Sequence, residues 1–231
     1  MSKLPTKSSS GDVATFLEKL ARTPALRTGG AAGRLIFAMD ATASREPSWD
    51  RACQIQGEMF AETDSLGGLE VQLVYYRGFG ECRASKWVDS SKDLVKSMTA
   101  VRCLGGQTQI ARVLKHAIAE TGARKVNALV FVGDCMEEDV DELCHLAGQL
   151  GVLGVPCFMF HEGGDPVARF GFGQVAKLSG GAYCSFDAGS AHLLRELLSA
   201  VAVYAAGGRR ALEDYGKRAG GAVKQIASQV K

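Results

Sequence analysis

Residues Arg34 to Ser44 read RLIFAMDATAS. Five consecutive apolar residues, Leu35 to Met39, predict a strand buried on both faces, the pattern of a central parallel strand. Asp40 arrives where the apolar run stops, and Thr42 and Ser44 follow at alternate positions. The carboxyl end of such a strand is where open α/β sheets build their ligand sites. Two later segments repeat the theme. In CLGGQTQI, Cys103 to Ile110, Thr108 stands behind a glycine turn and before a helix, and ALVFVGD ends a second buried run on Asp134. Three segments thus bring hydroxyl and carboxylate oxygens to one sheet edge. Such an all-oxygen set suits a small, hard divalent cation.

Outward from this stretch, strands and helices alternate. Pro47 fits the first turn of a helix from about Glu46 to Glu62. Leu69 to Gly78 is the second strand, and the polar CRASKWV, Cys82 to Val88, is an edge strand joined to it by a hairpin. Ser90 or Ser91 caps a helix through Val101, and another runs from Gln109 to Glu120. VNALVFVG, VPCFMF and GAYCSF are strands four to six. Helices from Glu137 to Leu150, from Pro166 to Ser179 and from Ala191 to Ala206 complete the alternation. This order predicts an α/β fold: a three-layer, doubly wound, mostly parallel six-stranded sheet with one short antiparallel edge strand. Its order reverses beside strand one, which makes strands one and four neighbours.

Before the sheet domain, residues 1–33 read as a short amphipathic helix (Val13, Phe16, Leu17, Leu20) and a glycine-rich linker. After it, residues 207–231 read as a basic helical tail. The 231 residues, 46% hydrophobic and 23% charged, match a globular chain able to build one sizeable core. Residues 1–33 carry five Lys/Arg against two acids, and residues 207–231 carry six against two. Basic ends of this kind are solvated tails more often than nucleic-acid contacts. MSKLPTKSSSGD has no apolar segment and no run is long enough to span a bilayer, so the expectation is a cytoplasmic protein of bacterial type. The seven cysteines form no C-x-x-C pair, which suits reduced, packed thiols. Cys144 and His145 lack spaced companions for zinc and read as packing residues.

The three oxygen-bearing elements resemble the von Willebrand factor A-type (VWA) domain. The metal-ion-dependent adhesion site (MIDAS) of that family uses D-x-S-x-S, a distant Thr and a distant Asp. Here the first element is DATAS, with Thr42 in the usual serine place, and the second is GGQT. The third is VFVGD, where the family shows an apolar run ending in Thr-Asp-Gly; Gly133 replaces the hydroxyl and Cys135 the glycine. The resemblance spans Arg34 to Ala206. It implies a Rossmann-like VWA fold with Asp40, Thr42, Ser44, Thr108 and Asp134 around Mg2+, or alternatively Mn2+ or Ca2+.

With three neutral hydroxyls and two carboxylates such an ion keeps electrophilic character. A carboxylate from a partner protein's Asp or Glu then completes its shell. The expected function is accordingly a non-enzymatic protein-binding module. The Phe160–Pro166 loop, with His161, Glu162 and Asp165, and Trp49 are candidates for the surrounding contacts; an ordinary strand-to-helix turn and a hydrophobic anchor are the plainer readings. A second class is a Mg2+-dependent phosphatase or phosphotransferase of the haloacid dehalogenase kind. It needs D-x-D, and Thr42 stands at its second acid. A third is nucleic-acid association through the basic ends. No phosphate-binding glycine motif follows a strand, which disfavours a nucleotide site.

Overall fold

β1, Gly33–Asp40, is buried along its whole length and runs parallel to a strand on either side. The computed structural model describes residues 32–55, 68–187 and 191–218. The expected N-terminal helix, most of its linker, the continuation of the Glu46 helix to Glu62 and the end of the basic tail lie outside these residues. In chain order β1 is followed by a 3-10 turn, Ala43–Arg45, α1 (Glu46–Ile55), β2 (Leu69–Arg77), β3 (Glu81–Ala84) and α2 (Ser91–Thr99). Then come α3 (Ile110–Ala123), β4 (Ala128–Gly133), α4 (Val140–Val152), β5 (Cys157–Glu162), α5 (Pro166–Ser179), β6 (Ala182–Phe186) and α6 (Ala191–Arg218).

The sheet order is β3-β2-β1-β4-β5-β6, with only β3 antiparallel. The doubly wound, mostly parallel sheet with a short antiparallel edge is therefore as the sequence pattern predicts. Alternate β1 residues feed two cores. Leu35, Phe37 and Met39 pack with residues of α1, α2 and α6 on one face. Ile36 and Ala38 pack with α3, α4 and α5 on the other. The chain leaves β1 toward the first face and β4 toward the second, so the crevice between them is the switch point of the fold.

Some boundaries differ from expectation for local reasons. β5 extends through His161 and Glu162, because both pair with β6 instead of forming a rim loop. α4 starts at Val140, capped by Asp139, which accepts the amides of Asp141 and Glu142 at 2.8 and 3.0 Å. Glu137 and Glu138, expected in that helix, stand before it. α6 continues past Ala206 through a break at Gly208, whose φ of 73° interrupts the helix. Leu212 beyond the break is buried in the core cluster of β1. Gly33 lets β1 lie against α6, since a Cβ there would overlap the backbone of Ala205 and Ala206.

Candidate metal centre

The end of β1 shapes its own loop. The Thr42 amide donates to Asp40 Oδ1 at 2.7 Å, an Asx turn that reverses the chain directly after the strand. The Thr42 hydroxyl then lies 3.4 Å from Ser44 Oγ, and Ser44 Oγ donates to Asp134 Oδ2 at 3.0 Å. Asp134 is the first residue beyond β4, the neighbour of β1. Four of the five residues singled out from the sequence thus form one continuous chain of contacts across the switch point.

Thr108 stands on a third segment, and its hydrogen bonds go to Glu137 and not to the other four residues. Its amide donates to a Glu137 carboxylate oxygen, and its hydroxyl accepts the Glu137 amide, each at 3.0 Å. Glu138 Oε1 accepts the Ala111 amide at 2.8 Å, so two consecutive glutamates hold the start of α3, where Gln109 gives no side-chain cap. Sequence reasoning placed these glutamates in the next helix. Only their position immediately ahead of the Asp139 cap signals otherwise. The Gly105–Gly106 turn is set by close approach: a Cβ on Gly106 would overlap the Gly78 carbonyl, while the Gln107 amide donates to that oxygen at 3.2 Å.

Electrostatics single out the carboxylates. Asp40 is fully buried and Asp134 half-buried. Each has one oxygen engaged as above; Asp40 Oδ2 and Asp134 Oδ1 are buried and accept no hydrogen bond among the described residues. Burial pushes the Asp40 carboxyl above the usual carboxylate range; the Thr42 amide and hydroxyl pull it back, and the nearby Asp134 charge adds to the rise. Tyr76, paired with Asp40 in register on β2, is wholly buried, and its phenol is pushed well above its ordinary range by that burial and by the Asp40 charge. Two buried carboxylate oxygens that complete no hydrogen bond, on side chains set against the Tyr76 phenol and the Cys135 thiol, form a donor set that fits a divalent cation.

A further ligand type stands in the cluster. Oxygens of Asp40 and Asp134 and the Cys135 sulfur all lie within 4.8 Å of one another. Burial, then the charge of Asp134, push the Cys135 thiol up to about 12. No residue other than glycine has a positive φ among the described residues, so cysteine occupies this loop position without backbone strain. Gly133 is needed for space instead, since a Cβ there would come within 2.7 Å of the Phe131 ring.

The expected rim is different. Trp49 is buried and donates its indole N–H to the Met98 carbonyl at 3.0 Å, so it is a core anchor and not a surface contact. His161 is buried as well, with Nε2 3.2 Å from the Asp134 carbonyl and Nδ1 2.8 Å from the Tyr183 hydroxyl. Burial lowers its pKa, and the Asp134 carbonyl partly offsets that. Asp165 caps α5 by accepting the Ala168 amide at 2.6 Å. Glu162 forms a buried ion pair with Arg45, the residue after Ser44, at 2.6 Å. Two exposed apolar groups stand on this side of the fold: Leu104, 48% exposed, next to the loop after β1, and Phe79, 86% exposed, at the β2–β3 turn whose Gly78 carbonyl accepts the Gln107 amide. The Leu104 amide donates to the Ala41 carbonyl at 3.0 Å, directly beside the metal loop.

Among solved structures, the VWA domain of SpRpn10 superposes with a TM-score of 0.56 at 12% identity, over 77% of this chain and 98% of that one. An aerotolerance-related membrane protein from Bacteroides fragilis gives 0.58 at 13% identity, over 72% and 96%. Proximal thread matrix protein 1 of the mussel byssus, with a zinc-occupied MIDAS motif, gives 0.61 at 14%, over 75% of this chain and 46% of that one. The fold is that of a VWA-type domain. No protein-family model and no curated protein sequence matches the chain.

Proposed function

We propose that the chain is a non-enzymatic, cytoplasmic protein-binding module whose centre of Asp40, Thr42, Ser44, Thr108 and Asp134 holds Mg2+ for an acidic residue of a partner protein. The observation that carries this reading is the pair of buried carboxylate oxygens that complete no hydrogen bond, Asp40 Oδ2 and Asp134 Oδ1. Ser44 Oγ donates to the other oxygen of Asp134, the Thr42 hydroxyl lies 3.4 Å from Ser44 Oγ, and Ser44 is exposed to an approaching ligand. The bound ion supplies Lewis acidity toward an anionic oxygen; hard oxygen donors suit Mg2+, Mn2+ or Ca2+. The zinc found at the corresponding motif of the mussel protein supports a divalent occupant more generally.

One carboxylate cannot carry an interface alone. Phe79 and Leu104 supply apolar contact on this side of the fold, so the partner's acid is flanked by apolar side chains. The test is affinity capture with and without EDTA, and with Asp40→Ala. Loss of the same partners in both supports the reading. Partners retained in EDTA, or bound through the basic ends with steep salt dependence, overturn it.

A further inference from the structure

We infer that the β2–β3 turn is a second anchor for the partner, where Phe79, flanked by Arg83 and Arg112, takes an acidic protein segment that carries an apolar side chain. The inference rests on the proposed protein-binding reading and deepens it by naming the partner's chemistry. Its first basis is the fixing of the turn. Gly78 has a φ of 59°, and its carbonyl accepts the Gln107 amide and the Gln109 side-chain amide, each at 3.2 Å. The Gly80 carbonyl accepts the Arg112 guanidinium. Phe79 stands between these two pinned carbonyls and is 86% exposed. A ring on a backbone already held in place loses little freedom when a partner covers it.

Charge decides the occupant. Glu81 engages both carboxylate oxygens with Arg77, at 2.9 and 3.2 Å, a fork that neutralises the two groups. Arg83 reaches the same carboxylate only at 3.3 Å, and its side chain is 69% exposed. Arg112 is exposed as well, and the Gly80 carbonyl it meets is neutral. Glu138, the other acid of this region, is half-buried and holds the Ala111 amide. Two guanidiniums thus exceed the local carboxylates on either side of an exposed ring. Complementary charge selects carboxylates for the arginines, and the ring selects an apolar side chain between them. A nucleic-acid strand calls for successive stacking rings, whereas this turn offers one.

The probe is a fluorescein-labelled synthetic peptide, Gly-Glu-Asp-Leu-Glu-Asp-Gly, titrated with the full chain in Mg2+ and read by anisotropy. The wild type is expected to bind it, more weakly as salt rises. Phe79→Ala, and Arg83→Gln combined with Arg112→Gln, should each weaken binding about fivefold or more. Mg2+ affinity by calorimetry and circular dichroism should match the wild type in both, since these side chains lie at the surface. Peptide affinity unchanged in both variants overturns the anchor and leaves the metal reading standing. So does a wild type that ignores the peptide, equal binding of a peptide with Lys at every acidic position, or tighter binding of an oligothymidylate. Peptide binding that the variants weaken but that EDTA and Asp40→Ala leave intact overturns the metal reading and leaves the anchor standing.

Discussion

The guanidinium of Arg45 meets the carboxylate of Glu162 at 2.6 Å, and their side chains are only 2% and 9% exposed. The pair joins the loop after β1 to the end of β5, two strands away in the sheet. Ser44, between Asp40 and this anchor, is thereby held against Asp134. Removing one partner strands a buried charge, which costs about 3–5 kcal/mol. Arg45→Met should lower the urea midpoint accordingly, and Arg45→Met with Glu162→Leu should recover a large part. Equal stability of the single variant and the wild type would remove the anchoring role.

Metal affinity should depend most on Asp40, because its loss removes one of only two carboxylates from the proposed hydroxyl-and-carboxylate set. Calorimetry on Asp40→Ala should show at least about a tenfold weaker binding of Mg2+ or Mn2+. Circular dichroism in EDTA should be unchanged, since both cores are built without the ion. Collapse of secondary structure in EDTA would contradict this.

Gly106→Ala tests the glycine turn. The added methyl group overlaps the Gly78 carbonyl and drives the Thr108 segment away from the β2–β3 turn. Overpacking of this kind costs about 1–3 kcal/mol. Thermal stability and metal affinity should fall together, whereas Gly105→Ala, with nothing within 4 Å, should leave affinity intact. Equal affinities in both variants would mean that the turn does not position Thr108.

Acid stability should depend on His116. Burial lowers its pKa, and its ring nitrogen lies 2.8 Å from Gln72 Oε1. The unfolded chain then binds more protons below the ordinary histidine range, so stability is complete above about pH 6.5 and is lost as pH falls through the lowered value. Asp40 acts in the opposite direction, because acid neutralises a carboxyl whose burial opposes charge. Comparing urea midpoints at about pH 7.5 and about pH 5.5, His116→Gln should lose less stability on acidification than the wild type. An equal loss would exclude His116 as the source.

No hydrolysis of phosphate esters is expected, because Thr42 stands where an acid–base carboxylate would be needed. Magnesium-dependent turnover by the wild type that disappears in a folded Asp40→Ala would refute this.

The alternation of buried runs with helical segments made the sheet and its order legible, because a strand covered on both faces writes itself as an unbroken apolar string. The clustering of Asp40, Thr42, Ser44 and Asp134 was legible for the same reason: each follows the end of such a string. Cys135 was legible only as a departure from glycine, since proximity of a thiol to two carboxylates depends on the path of one short loop. Glu137 and Glu138 misled because acidic residues suit the first turn of their own helix as well as the start of a neighbouring one. Trp49 was legible as a hydrophobic anchor, the plainer of its two readings, and its indole turns inward into the core. Here it reaches the carbonyl of Met98.

β1 is paired with β2 at eight positions and with β4 at five. Its amides can exchange with solvent only when the whole sheet opens, which makes them the slowest clock in the molecule. Asp40 hangs from the last of them. Thr108 and Glu137, by contrast, are fastened to each other outside the ladder. A ligand that draws the centre together must therefore move the α3 side toward a stationary β1. In deuterium labelling, the imprint of binding belongs on residues 101–112 and 134–140, with residues 33–40 nearly silent.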